Sequence, residues 1–449
     1  MKKTRIFSGY ELSFIISLSV AMALRQLVMV IVMPILSIYG KSLVGSTPVL
    51  LGVVFGIYGL VQGIMQIPLG RLSDKIGRKA VITIGSLFLG GGLLLAAAAT
   101  NIYLLIAARI LQGFGAVTAV CFSWIGDNIG EQKRNRSMSI VGIFIGVAAV
   151  VGFLGGPILY NFISVPSMFL ACAAFVFLSW IYILLFIKKD AVRNKQAEKL
   201  DYQGLAKNKL FVGLSLSAFL QNYLMVCMFY VVPIFIQNAV GEGRMWVVFI
   251  PATVIGIALM QYTSRLADKG KEQAVLIGSF STVILSGVFL LFGSSNLLFI
   301  AISTALFMCG YLSLNAVLPG SVTKLSTDAT RGGVTGVYNT VQFLGSFVGG
   351  ILSGILWGIQ PYLPALSIAV VSLLGVLVVS KLVKAVPSAQ NPEEQSQLPA
   401  EELLDGVLKD GGIPSDDMAR DEIQSDAAPH GETSPDSTPV YGDKNDNKE

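Results

Sequence analysis

Residues 70–79, GRLSDKIGRK, are the stretch on which the reading of this chain turns. They separate two long apolar runs and carry Arg71, Lys75, Arg78 and Lys79 against a single carboxylate, Asp74. Gly70 and Gly77 let two helix ends come close, so the segment reads as a charged turn between two membrane-crossing helices. Asp74 and Arg78 stand four positions apart, the spacing at which a carboxylate and a guanidinium meet on one helix face.

A second copy follows. Residues 264–271, SRLADKGK, repeat the Arg-Leu-small-Asp-Lys core 194 positions after Arg71, with Asp268 in the place of Asp74. An ordinary basic turn explains either copy alone. Two copies, one after the second apolar run and one after the eighth, point to a chain made of two related halves.

Apolar residues make up 53% of the chain and charged residues 13%, about half the charged share of a soluble domain. Twelve apolar runs of roughly twenty residues or more can be placed between residues 12 and 384, each able to cross a hydrocarbon core. The expected fold class is an all-α polytopic membrane protein with twelve transmembrane helices in two pseudosymmetric six-helix bundles. The first run is too long for a cleaved signal peptide, and no small-residue cleavage site follows it. The polar stretch 188–209 divides the halves, which gives an N-terminal bundle at 1–187, a linker at 188–209 and a C-terminal bundle at 210–390. Residues 391–449 hold 4 Lys/Arg and 16 Asp/Glu with almost no hydrophobic periodicity, so an acidic, disordered tail is expected.

Basic residues set the orientation. They crowd the turns on one side, among them the first cassette, Lys133, Arg134, Arg136 and seven between Lys188 and Lys209, whereas the other side has Lys41 and Arg244. Both termini are therefore expected in the cytoplasm, as in a multi-pass protein of a bacterial inner membrane. Cys121, Cys172, Cys227 and Cys309 all lie in apolar runs and read as packing residues, and the one histidine, His430, lies in the tail. That excludes a zinc site or a histidine dyad, and no nucleophile–base pair is visible, so neither enzyme chemistry, a metal nor a cofactor is expected. The expected partners are a small-molecule substrate, membrane lipid and protons, with no nucleic acid; the protein is expected to be a monomer.

Polar residues kept inside spans despite their cost are the ones that can form a transport site. Arg25 lies midway along the first run and Arg109 in the fourth, where it begins RILQGFGA with Gln112. Tyr58, Gln62 and Gln66 follow one another at intervals of four in the second run. Asn222 and Tyr230 fall in the seventh run, Asn315 in the tenth, and Tyr338 and Asn339 in the eleventh. Together they suggest an amphiphilic cavity, although helix–helix hydrogen bonding accounts for any one of them. Every acid before residue 390 lies in a turn or at a span end, and Asp127, at the end of the fourth run, reads as the most nearly buried. The fifth run holds Gly146, Gly152, Gly156 and Pro157, small residues that let bundles rock. Pro34 and Pro233, 199 positions apart, suggest a bend shared by the first and seventh helices.

GRLSDKIGRK matches, at each specified position, the loop signature of the major facilitator superfamily, and RILQGFGA resembles that family's fourth-helix motif with one position fewer between Arg and Gln. Within the superfamily, ALRQLVMVIVMPILSIYG and VYNTVQFLGSFVGG are similar to the YajR-like group of bacterial drug or metabolite exporters. The resemblance implies alternating access between the bundles and proton-coupled efflux of small amphiphilic compounds. It makes Gly70, Asp74, Gly77, Arg78, Asp127 and Asp268 gating residues, Asp127 and Arg109 candidates for proton coupling, and Arg25 a cavity residue. Many such exporters carry an acid in the first helix where this chain offers Arg25, so a facilitator or anion exchanger that neutralises an organic anion with Arg25 and Arg109 is the rival. A transporter-shaped receptor or scaffold is the third reading.

Overall fold

The computed structural model describes residues 7–187, 202–241, 244–293, 295–326 and 330–383. Most of the linker and the whole acidic tail fall outside the described residues. Among the described residues twelve helices are long and apolar enough to cross a hydrocarbon layer when the kinked stretch 246–293 is taken as two: α1 (Gly9–Val32), α2 (Pro48–Ile76), α3 (Arg78–Ala97), α4 (Ile102–Asn128), α5 (Glu131–Leu159), α6 (Val165–Phe186), α7 (Lys209–Val240), α8 (Trp246–Leu266), α9 (Glu272–Gly293), α10 (Leu297–Thr323), α11 (Arg331–Ile359) and α12 (Leu363–Leu382). Side-chain oxygens start many of them. Ser8 forms a reciprocal capping box with Glu11, and Thr47, Asn101, Ser164, Asn208 and Asn296 accept from the first free amides of α2, α4, α6, α7 and α10.

The two cassettes end their helices in the same way with one difference. Gly77 sits at φ 97 between α2 and α3, and Gly270 at φ 78 between α8 and α9, conformations that a side chain disfavours. The second cassette is one residue shorter between Asp268 and its glycine, so α8 and α9 run together as 48 helical residues broken only at Lys269 and Gly270. By length α2 reaches about 44 Å, more than the roughly 30 Å hydrocarbon layer, so its cassette end projects beyond it.

Pro34 interrupts α1, and the chain resumes as a buried turn of helix, Leu36–Ser42, whereas Pro233 lies within the unbroken α7. The break that sequence periodicity misses is in α4, which opens at Phe114–Val117 between Gln112 and Thr118. There Gly115 lies so close to α3 that a Cβ would fall 2.9 Å from the Gly85 carbonyl oxygen.

Apolar side chains point outward as well as inward, with Phe162, Leu178, Leu185 and Phe292 among the most exposed, as expected where the surrounding solvent is lipid. Inward, two cores form. One continuous core takes residues from both bundles, with Phe55, Phe153 and Phe229 buried in it and Trp357 packed against it, and in the second bundle it extends to Ala267, Val275 and Val322 near the second cassette. On the cassette half, the N-terminal bundle has a separate core around Phe14, Leu18, Trp124 and Val141. Glycines record the same division. A Cβ at Gly56 would lie 2.7 Å from the Phe347 carbonyl oxygen and one at Gly59 2.8 Å from Ser346, whereas Gly70, Gly142, Gly146 and Gly320, toward the cassettes, have open space. The bundles thus touch along the far half and part toward the cassettes.

Candidate functional site

A cavity of about 300 Å³ lies between the bundles. Arg25, Tyr58, Gln62, Asn222, Asn315 and Asn339 line it, as does Gln66, and Phe55, Phe153, Phe229 and Phe343 supply an aromatic wall. Phe153 of α5 stacks on Phe229 of α7 with ring centroids 5.4 Å apart, and Tyr230 donates to the Pro48 carbonyl at 2.9 Å, which closes the far side.

The two arginines have different surroundings. Arg25, half-buried, donates to the Thr118 hydroxyl at 3.1 Å across the break in α4 and faces the cavity. Its remaining donors and its charge have no acid nearby: the described acids, Glu11, Asp74, Asp127, Asp268 and Glu272 among them, lie at helix ends and none lines the cavity. Arg109 is 4% exposed and bound on every side. Its Nε donates to the Val54 carbonyl at 3.2 Å, a terminal nitrogen donates to Gln112 Oε1 at 2.7 Å, and its carbon stands 4.5 Å from the centre of the Tyr58 ring. Gln112 in turn donates to the Gly92 carbonyl at 3.1 Å. Arg109 therefore ties α2, α3 and α4 together and presents its charge to the cavity only through Tyr58.

Three expected cavity residues lie elsewhere. Gln112 is fully buried in the Arg109 network, Tyr230 is packed between Phe55 and Trp357 at the closed end, and Tyr338 is 1% exposed inside the second half. Each is polar within a span, but Gln112 and Tyr338 are buried within their own bundles and Tyr230 reaches across to Pro48 of the other, which spacing along one helix cannot reveal. The glycines of α5 also separate. Gly152 and Gly156 pack on Val30 and Ile31 of α1, joining helices within one bundle, while a Cβ at Gly146 would meet open space. Sequence reasoning missed Gln26 and Thr118. The first was legible beside Arg25; the second needed the α4 break to bring it across.

On the cassette face Arg78 pairs with Asp74 at 2.6 Å and with Asp127 at 3.0 Å, and also donates to Ser73. Asp74, Arg78 and Asp127 all belong to the N-terminal bundle, and the cluster is intact here although the bundles part on this face. It therefore cannot by itself be the latch for the opposite conformation. Asp74 is 53% exposed, which leaves it free to take a further partner when the bundles rock.

The second half carries its counterpart in an unexpected form. Asp268 is exposed in the kinked turn, and the ion pair of this half joins Glu272, at the start of α9, to Lys324, just beyond α10, at 2.6 Å. Glu272 stands 194 positions after Arg78, the offset of the two cassettes, and carries the opposite charge. The first half thus binds α3 to α4 through Arg78–Asp127 and the second binds α9 to α10 through Glu272–Lys324, with the signs exchanged. At 3% exposure Glu272, not Asp127 at 26%, is the more buried acid. Among the described residues no group of His, Cys, Asp and Glu is arranged to hold a metal.

A family model described as Major Facilitator Superfamily matches residues 18–350. An uncharacterized transporter of Buchnera aphidicola subsp. Baizongia pistaciae is 29% identical over 362 residues, 78% of this chain and 92% of its own. The inner membrane transport protein YajR of Escherichia coli strain K12 is 27% identical over 342 residues, 75% of either chain. Among solved structures, a mutant of the nucleoside transporter NupG superposes with a TM-score of 0.68 at 15% identity, over 83% of this chain and all of that one, a likeness of fold alone.

Proposed function

We infer the function from family and cavity together: the chain belongs to the major facilitator superfamily, and it carries small amphiphilic organic anions across the membrane by alternating access. The observation that carries this reading is Arg25, a guanidinium on the cavity wall with no carboxylate among the described cavity residues to neutralise it. A charge held inside the membrane costs at least about 2.5 kcal/mol, which a bound anion offsets. Arg109 behind Tyr58 adds positive potential on the same side, and the aromatic wall accepts the apolar part of the molecule.

The positive-inside rule, applied to the basic cassettes, supports a cytoplasmic open face in a bacterial inner membrane. Export driven by inward proton flow, with Asp127 carrying the proton, is the coupling that the resemblance to YajR-like exporters implies. Exchange of one anion for another is the second reading, favoured because no described carboxylate faces the cavity. Flux in vesicles under an imposed pH gradient tests both. The expected result is movement of anionic but not cationic amphiphiles, abolished by Arg25→Gln. Dependence on the gradient selects proton coupling, and trans-stimulation by unlabelled anion selects exchange. Transport of cations alone, or anion transport untouched by Arg25→Gln, refutes the reading.

A further inference from the structure

Polar groups on the two sides of the cavity are satisfied unequally. On the second half the amides bind each other and their neighbours: Asn222 Nδ2 donates to Ser346 at 3.1 Å, Gln342 Nε2 to Asn222 Oδ1 at 3.4 Å, and Gln221 Nε2 to Asn315 Oδ1 at 3.4 Å. On the first half Gln66 is 3% exposed and neither of its amide atoms has a partner, and Gln62, one turn earlier and 6% exposed, has an unpartnered Oε1. Gln221 Oε1 is also unpartnered, but Gln221 does not line the cavity, whereas Gln62 and Gln66 do.

Burying an amide without a hydrogen bond is unfavourable, so an unfilled pair on one helix face beside Arg25 marks where a ligand's polar head belongs. Exchanging the amide oxygen and nitrogen of Gln66 leaves its needs unchanged, because neither atom has a partner. Arg25 and the Gln66 nitrogen need acceptors, which an anionic group supplies. The oxygens of Gln62 and Gln66 need donors, which an anionic group cannot supply. We propose that Gln62 and Gln66 form a subsite for a hydroxyl or N–H group next to the anion, so that the substrates are hydroxy or acylamino acids with an apolar body. The proposal rests on the anion reading above and names the substrate class within it.

The full-length protein in lipid nanodiscs, titrated calorimetrically with phenylpropanoate and with phenyllactate, tests it, because the two acids differ by one hydroxyl. One or two added hydrogen bonds predict that phenyllactate binds about 5- to 30-fold more tightly. Gln62→Met and Gln66→Met, which preserve volume and remove the amide atoms, each bring that ratio toward unity; Gln66→Met also removes a nitrogen that faces the anion, so it weakens both acids, phenyllactate the more. A cooperative thermal unfolding transition in the same nanodiscs shows that the variants are folded. Equal binding of the two acids by the unaltered protein, or a preference that survives both substitutions, overturns the subsite and leaves the anion reading standing. Binding of neither acid overturns both.

Discussion

Lys324 is predicted to hold the second bundle together through Glu272, and its removal should be more damaging than removal of its partner. Glu272 is 3% exposed and stands 2.6 Å from the Lys324 ammonium, which is itself 29% exposed. Lys324→Met leaves a carboxylate buried between α9 and α10 without a counter-charge, and deleting one member of such a pair costs about 3–5 kcal/mol. Glu272→Gln leaves instead a lysine that reaches water, and the loss should be about 1 kcal/mol. The reversed signs of the two halves supply the control: Glu272→Arg combined with Lys324→Asp copies the Arg78–Asp127 arrangement into the second bundle and should recover most of the loss. Thermal unfolding of the purified protein in nanodiscs, followed by tryptophan fluorescence, reads all four proteins, and Lys324→Met should lower the midpoint by about 5 °C or more. Equal midpoints for Lys324→Met and Glu272→Gln, or a double variant no better than Lys324→Met, would refute the view that burial of Glu272 makes the pair asymmetric.

Other consequences concern the moving interface. Gly56→Leu places a side chain against the Phe347 carbonyl and should force α2 from α11 on the far half, raising the labelling of a cysteine introduced there several-fold; unchanged labelling would contradict the close approach. Arg109→Lys keeps the charge but cannot reach the Val54 carbonyl and Gln112 while covering Tyr58, so loss of about 1.5–3 kcal/mol of stability is expected in the same unfolding assay. Asp74→Asn removes an exposed pair worth about 1 kcal/mol or less to the fold. If Asp74 also takes the N-terminus of α11 when the cassette face closes, the variant should favour the conformation described here; spin-label distances across that face that do not lengthen would count against this latch.

Which parts of this protein were legible before any folding follows from the range of the forces. Hydrophobic runs as long as the hydrocarbon layer, charged turns between them and a cassette repeated at 194 positions determine twelve helices in two halves, because each helix satisfies its own backbone and water is absent around it. The pairing of Asp74 with Arg78 was equally legible, being one helical turn apart. Over the described residues the second cassette's shorter turn runs two of the expected helices together, so eleven continuous spans stand where twelve runs were read. What only tertiary structure decided are the contacts between helices distant in sequence. Gln112 and Tyr230 look like cavity residues from their own helices, and only packing shows that one serves Arg109 and the other closes the far side. The α4 break brings Thr118 to Arg25, and the partner of Glu272 is Lys324, 52 positions away. A polar side chain in a membrane must find a partner somewhere, and its own sequence states the need; which group fills it depends on how neighbouring helices pack, and the groups left unfilled mark the place for a ligand.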